Sequence, residues 1–398
     1  MTDEQRTAAR RRGIHDWEAL RRATWLELFF DLVFVVAVAR LAIQLRVDHS
    51  VPGLLGYAGL FVAVWWLWIS FSYFADLFDD DGPLQRLAQL VAMLGAAVLA
   101  VTLGDGIAAD SGRFAGTFGA LFALLAGMYA VAARAEPRAA ELCHWYVAGS
   151  AIGSALWFLS LAVPVPGRYL VWGLALTANA LISGPIAYAR MRNPPHQRSH
   201  MPERFGLFVI VVLGEAVLSV VNGIETTHWN PGAVVVAVSG FVIACCMWWV
   251  YFDAFDEGAI DRAIEGGRRA QVASFLYGYG HLLIYASIAA AGVGVQLAAE
   301  AAAKHAAGGV ALLGGAQVAL IVAFVVVSSP FGLRGHSPII AVKAALAGLA
   351  LIVAVAVRAP VAGAALCALG WVGLVGAEIV MRSRPGSARP GNSVVPPA

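Results

Sequence analysis

At 398 residues the chain is 60% hydrophobic and only 13% charged, with a mean hydropathy of +0.74. Those shares lie outside the range of soluble domains and predict an all-α, polytopic membrane protein whose immediate partner is the lipid bilayer. The formal net charge of +2, spread without a basic patch, gives no basis for nucleic-acid binding.

Residues 1–23 form an Arg-rich polar segment without the short apolar core of a cleaved signal, so the first span is expected to act as the insertion signal. Apolar windows of roughly 20 residues, interrupted by Pro, Gly and charge, then predict helices. They fall at 25–46, 52–75, 84–104, 113–134, 141–163, 168–190, 203–223, 232–252, 271–298, 308–329, 338–357 and 360–381, about twelve spans in all. Placing the N-terminus in the cytoplasm leaves Arg46, Arg113, Arg168, Lys304 and Arg358 in outer loops and the remaining loop arginines inside, as the positive-inside rule requires. Both termini are therefore expected in the cytoplasm of a cell whose inner (plasma) membrane holds the protein. The Pro/Ser/Gly-rich tail 383–398 is expected to be disordered.

The first span is the most informative. Between Trp25 and Ala39 it is apolar except for Glu27 and Asp31, four residues apart and so on one helix face. Thr24 and Glu27 fit an S/T-x-x-E capping box, which accounts for Glu27 as a helix-start residue. Asp31 lies too deep for that role, where a charge costs roughly 2.5–3.5 kcal/mol on insertion scales. It is either a structural bonding partner for another helix or part of a site.

The run Glu27-Leu28-Phe29-Phe30-Asp31-Leu32-Val33-Phe34, preceded by Trp25, resembles the opening motif of the bacterial low temperature requirement A (LtrA) membrane proteins. His200 to Phe208, Leu213-Gly214-Glu215 and Tyr279-Gly280-His281 are similar to further motifs of that family in the same order. Arg40 departs from the polar residue common at that position. The resemblance implies the class of membrane protein; the family name records a growth phenotype and implies no reaction, so low-temperature or stress adaptation enters only with the alternative of a non-transporting membrane factor.

The halves of the chain also resemble each other. Tyr73-Phe74-Ala75-Asp76 recurs as Tyr251-Phe252-Asp253-Ala254, Arg86-Leu87-Ala88-Gln89 as Arg269-Ala270-Gln271, and Glu27-Leu28-Phe29 as Glu203-Arg204-Phe205, all with offsets of about 176–183 residues. A duplicated six-helix unit follows, with repeats at 24–198 and 199–382. Because six is even, the two repeats are expected to run parallel, as in carriers that hold their substrate near the membrane midplane.

Ionisable residues at membrane depth are the candidate binding residues. Glu215 lies past the middle of its span and suits a proton or cation site, though a structural role fits its position as well. His281, at the end of Tyr277-Gly278-Tyr279-Gly280-His281, is either a satisfied interhelical bonder or a relay member beside Asp31 and Glu215. Glu203 follows Pro202 at a helix start, where capping is expected. Arg204 is eleven residues before Glu215, roughly 16 Å along the axis, too far for an intrahelical pair. Pseudo-symmetry points it instead at Glu27 or Asp31. Asp253 belongs, with Asp256 and Glu257, to the repeat of the acidic run Asp76, Asp79, Asp80, Asp81; a solvated face is the plain reading and a metal site the sharper one. The pairs Trp65-Trp66 and Trp248-Trp249 are expected to pack between helices.

No nucleotide loop, metal-binding His cluster or nucleophile elbow is present in the sequence, and Cys143, Cys245, Cys246 and Cys367 lack metal or redox spacing. A non-enzymatic protein without a cofactor is expected. The leading expectation is a carrier or permease for a small solute or ion, with acids that suit proton coupling. An ion channel built from a duplicated six-helix unit and a non-transporting membrane factor are the alternatives.

Overall fold

The computed structural model describes residues 24–78, 82–103, 107–190, 201–254, 268–328 and 337–383. Every regular element among them is helical. The twelve long helices, in chain order, are α1 Trp25–Val47, α2 Val51–Leu77, α3 Pro83–Thr102, α4 Ile107–Ala135, α5 Ala140–Leu159, α6 Gly167–Arg190, α7 Met201–Thr226, α8 Pro231–Ala254, α9 Arg268–Ala303, α10 Val310–Ser328, α11 Ser337–Ala356 and α12 Pro360–Arg382. The sequence windows and these helices agree in number and order. The largest difference is α9, which runs for 36 residues.

Ten of the twelve are long and apolar enough to cross a membrane. The other two are α1, which carries Glu27, Asp31, Arg40 and Arg46, and α11, whose apolar stretch is Ile340–Ala356. The chain is a multi-pass membrane protein.

Local sequence sets the helix boundaries. Thr24 and Glu27 close the capping box of α1: the Thr24 N–H donates to Glu27 Oε2 at 2.8 Å and the Glu27 N–H to Thr24 Oγ1 at 3.3 Å. Ser50 caps α2 by accepting from the Gly53 N–H at 3.3 Å, with Pro52 in the first turn. Helix α6 widens into a π turn over Ile182–Ile186, which contains Pro185.

The chain divides into two compact units, Met1–Val212 and Leu213–Ala398, with the boundary inside α7. In the first, α1 packs on α2 and α3, α3 on α4, α4 on α5, and α5 on α6. In the second, α8 packs on α9 and α12, α9 on α10, α10 on α11, and α11 on α12. Lipid tails are as apolar as leucine, so close packing rather than water exclusion must hold such helices together. Gly294 of α9 shows this, because a β-carbon there would lie 2.6 Å from the Leu313 backbone nitrogen of α10. The first unit adds an aromatic stack: Phe118 and Trp157 lie 4.3 Å apart, and Trp157 and Trp172 5.1 Å apart.

The tryptophan pairs behave differently. Trp65 is buried, and Trp66 donates to Asn179 Oδ1 at 2.7 Å, packing between helices as expected. Trp248 and Trp249 are 48% and 42% exposed. The outward position of the second pair corrects the expectation for it. Neighbouring positions on a helix diverge by about 100°, so adjacency cannot say which of them faces a neighbour.

Candidate functional site

Asp31 is carried on α1 about two turns beyond the Thr24 cap, on the buried face of that helix. It is 1% exposed. Its Oδ1 accepts two hydrogen bonds, from Arg204 Nη2 at 2.7 Å and from the indole Nε1 of Trp68 at 2.7 Å. Arg204, at the start of α7 and 2% exposed, also donates from Nη1 to the Ser72 carbonyl at 3.3 Å. The Arg204–Asp31 ion pair therefore links α1 to α7, and the bonds from Trp68 and to Ser72 add α2.

Aromatic rings enclose the pair. The guanidinium carbon of Arg204 lies 5.9 Å from the Phe30 ring centre and 6.0 Å from that of Trp68, within the range of cation–π attraction. Trp68 stacks on Phe208 at 4.4 Å and meets Phe205 at 5.8 Å. Low polarity strengthens each charge-assisted bond and raises the cost of any polar atom left without one. Three such atoms occur here. Asp31 Oδ2, Arg204 Nε and Ser72 Oγ are buried without a hydrogen-bond partner among the described residues.

Of the two acids open to Arg204, the structure selects Asp31. Glu27 is buried but spends its carboxylate on the Thr24 cap. Glu203 is half-buried in the first turn of α7, where an acid suits the helix dipole.

Glu215 and His281 belong to the second unit. Glu215 is buried on α7. Next to it the α7 and α9 backbones touch closely, because a β-carbon on Gly292 would lie 2.8 Å from Ala216 Cα. His281 of α9 is fully buried. Its Nδ1 lies 2.6 Å from the Tyr277 carbonyl and its Nε2 2.9 Å from the Tyr251 hydroxyl. A carbonyl can only accept, so Nδ1 carries a hydrogen, and a neutral ring then accepts from Tyr251 through Nε2. The Tyr277 and Tyr285 rings complete an aromatic cage at 4.4 and 5.8 Å. This is the arrangement of a satisfied interhelical bonder joining α8 to α9.

Asp253 and Asp76 are half-buried near the ends of α8 and α2. The remaining acids of both runs, Asp79, Asp80, Asp81, Asp256 and Glu257, lie outside the described residues, as do 1–23 and most of the 383–398 tail. Cys143, Cys246 and Cys367 are buried and Cys245 is exposed.

Sequence reasoning missed two features. Trp68, the second donor to Asp31, was passed over for its paired neighbours. Lys343 of α11 and Glu378 of α12, both buried, form an ion pair at 3.6 Å in the second unit. Each is a lone charge in an apolar window, the same signal that singled out Asp31 and Glu215.

Comparison with known proteins agrees with the motifs. Residues 22–374 match the family model described as bacterial low temperature requirement A protein (LtrA). A relative from Rhizobium meliloti (strain 1021), named "Uncharacterized protein RA0937", is 30% identical over 288 residues, 69% of this chain and 68% of its own length. No solved structure matches. With a capped, acid-bearing first span, a buried ion pair built from two of the family-like motifs, and a match over most of its length, the chain belongs to the bacterial low temperature requirement A family.

Proposed function

We propose that this protein is a carrier or permease of the plasma membrane, with both termini cytoplasmic, that moves a small solute or ion and has no enzymatic activity. One observation carries the reading. The Asp31–Arg204 pair is buried, yet Asp31 Oδ2 and Arg204 Nε are left without hydrogen-bond partners among the described residues. A pair that served only to hold helices together would gain by saturating those atoms, since each costs about 1–3 kcal/mol when left bare. Open valences at such a point are what a transported molecule would occupy. The internal sequence duplication is the pattern of carriers built from two six-helix repeats. Glu215, buried about three turns beyond Arg204 on α7, is the group assigned to proton coupling.

The test is solute flux into proteoliposomes with and without a pH gradient. Gradient-dependent uptake that falls in Asp31→Asn, and loses its pH dependence in Glu215→Gln, is the expected result. Unchanged flux in both variants would remove these residues from the mechanism, and discrete unitary currents across a planar bilayer would replace the carrier with a channel.

A further inference from the structure

We infer that the Asp31–Arg204 centre binds a small, uncharged molecule that carries a hydrogen-bond donor beside an acceptor, of the primary-amide type. This deepens the carrier reading of the same site and rests on it for its biological meaning.

Charge gives the first constraint. Asp31 and Arg204 neutralise each other at 2.7 Å with side chains only 2% exposed. A cation entering this point would meet the Arg204 guanidinium, and an anion would meet Asp31 with Glu27 one turn away. Either would bring an uncompensated charge into a dry site or break the pair, which costs far more than one hydrogen bond returns. An uncharged ligand avoids both.

Hydrogen bonding gives the second. Asp31 Oδ1 is doubly occupied, by Arg204 and Trp68, whereas Oδ2 has no donor among the described residues. Arg204 Nε has a hydrogen and no acceptor among the described residues, and Ser72 Oγ, fully buried, can act either way. The unmet requirements are thus one donor toward a carboxylate, one acceptor toward a guanidinium and one contact with a hydroxyl. An N–H beside a carbonyl meets all three. The surrounding Phe30, Trp68, Phe205 and Phe208 rings offer flat apolar faces to such a planar group.

Acetamide is the probe. Equilibrium binding of radiolabelled acetamide to the full-length protein in nanodiscs is measured against methylammonium, acetate and N,N-dimethylacetamide, which lacks the N–H donor. Saturable acetamide binding is expected. Both ions and the dimethyl compound should bind at least about tenfold more weakly, the size of one lost hydrogen bond in a buried site. Ser72→Ala should weaken acetamide by a similar factor. Should that variant fail to fold, the dimethylacetamide comparison on the unaltered protein decides alone. Absent acetamide binding, or equal binding of the charged or dimethylated probes, overturns the inference. Acetamide binding without flux of any solute would sink the carrier reading and leave the binding site standing, whereas flux of another solute without acetamide binding would sink the site assignment alone.

Discussion

Arg204 Nη2 and Asp31 Oδ1 are separated by 173 positions in the chain and by 2.7 Å in space. The contact joins α1 to the start of α7 through two charges that an apolar surrounding would not tolerate singly. Removing one partner strands the other, at about 3–5 kcal/mol, whereas replacing both with apolar side chains of similar volume costs little. Asp31→Leu and Arg204→Met are each expected to lower the melting temperature in detergent sharply, and the double substitution to recover most of the loss. A double-mutant cycle on thermal unfolding measures this coupling. Additive losses would mean that the pair is not the binding element between α1 and α7. Trp68→Phe keeps the ring against Phe208 but deletes the donor to Asp31, and a smaller loss of about 1.5–3 kcal/mol is expected for a bond to a charged acceptor.

Glu27 and Asp31 share a helix face but not a role, and substitution separates them. Gln at position 27 retains a side chain able to accept the Thr24 N–H, so Glu27→Gln should leave both stability and flux near the unaltered protein. Thr24→Ala removes the reciprocal bond and should cost about 1 kcal/mol. Flux lost in Glu27→Gln at unchanged stability would instead place Glu27 in the transport path.

How far these assignments were legible in the sequence depends on the reach of each interaction. Helix positions followed from apolar windows because a bilayer leaves the backbone almost no other spanning structure than a helix or a barrel. The cap at Thr24 was readable since both partners lie within one turn. That Asp31 needed a partner could be read from its depth, and the Glu203-Arg204 echo of the first motif pointed to Arg204. Between Glu27 and Asp31 the sequence left the partner of Arg204 open, and only the 2.7 Å contact decides for Asp31. Trp68 stayed hidden because its bond to Asp31 spans 37 positions and nothing local marks it. Lys343 and Glu378 lie on successive helices, and nothing local in the sequence pairs them.

His281 offers a spectroscopic prediction. With Nδ1 facing the Tyr277 carbonyl, the neutral ring should be observed by nitrogen NMR as the Nδ1–H tautomer, accepting from Tyr251 through Nε2. Tyr251→Phe should leave Nε2 bare and destabilise the second unit by about 1–3 kcal/mol. An Nε2–H signal in the unaltered protein would contradict this hydrogen-bond assignment and reopen a relay role for His281.

Outside the spans, Asp48 presents a titration of known sign. The Ser50 hydroxyl donates to Asp48 Oδ1 at 2.5 Å and the Ser50 N–H at 3.1 Å, holding the carboxyl below its usual value of 3.8. A depressed carboxylate adds stability that is present above its unfolded pKa and is lost as pH falls through the folded one. Ser50→Ala should raise the Asp48 midpoint toward 3.8, read by carbon NMR of labelled aspartate. An unchanged midpoint would mean that the hydroxyl bond is not formed in solution.

Glycines in the second unit provide a contrast that depends only on packing. A β-carbon at Gly294 would meet the Leu313 backbone nitrogen and Cα at 2.6 and 2.7 Å, atoms that cannot move without displacing α10 as a whole. At Gly315, on α10 itself, the same addition meets nothing within 4 Å. Alanine is the better helix former by up to about 1 kcal/mol, so Gly315→Ala should leave the melting temperature unchanged or slightly raised. Gly294→Ala should lower it by an amount typical of overpacked cores, about 1–3 kcal/mol. The comparison holds residue type and chemical change constant and varies only the neighbour. Equal effects at the two positions would show that α9 and α10 do not approach as closely as their small residues allow.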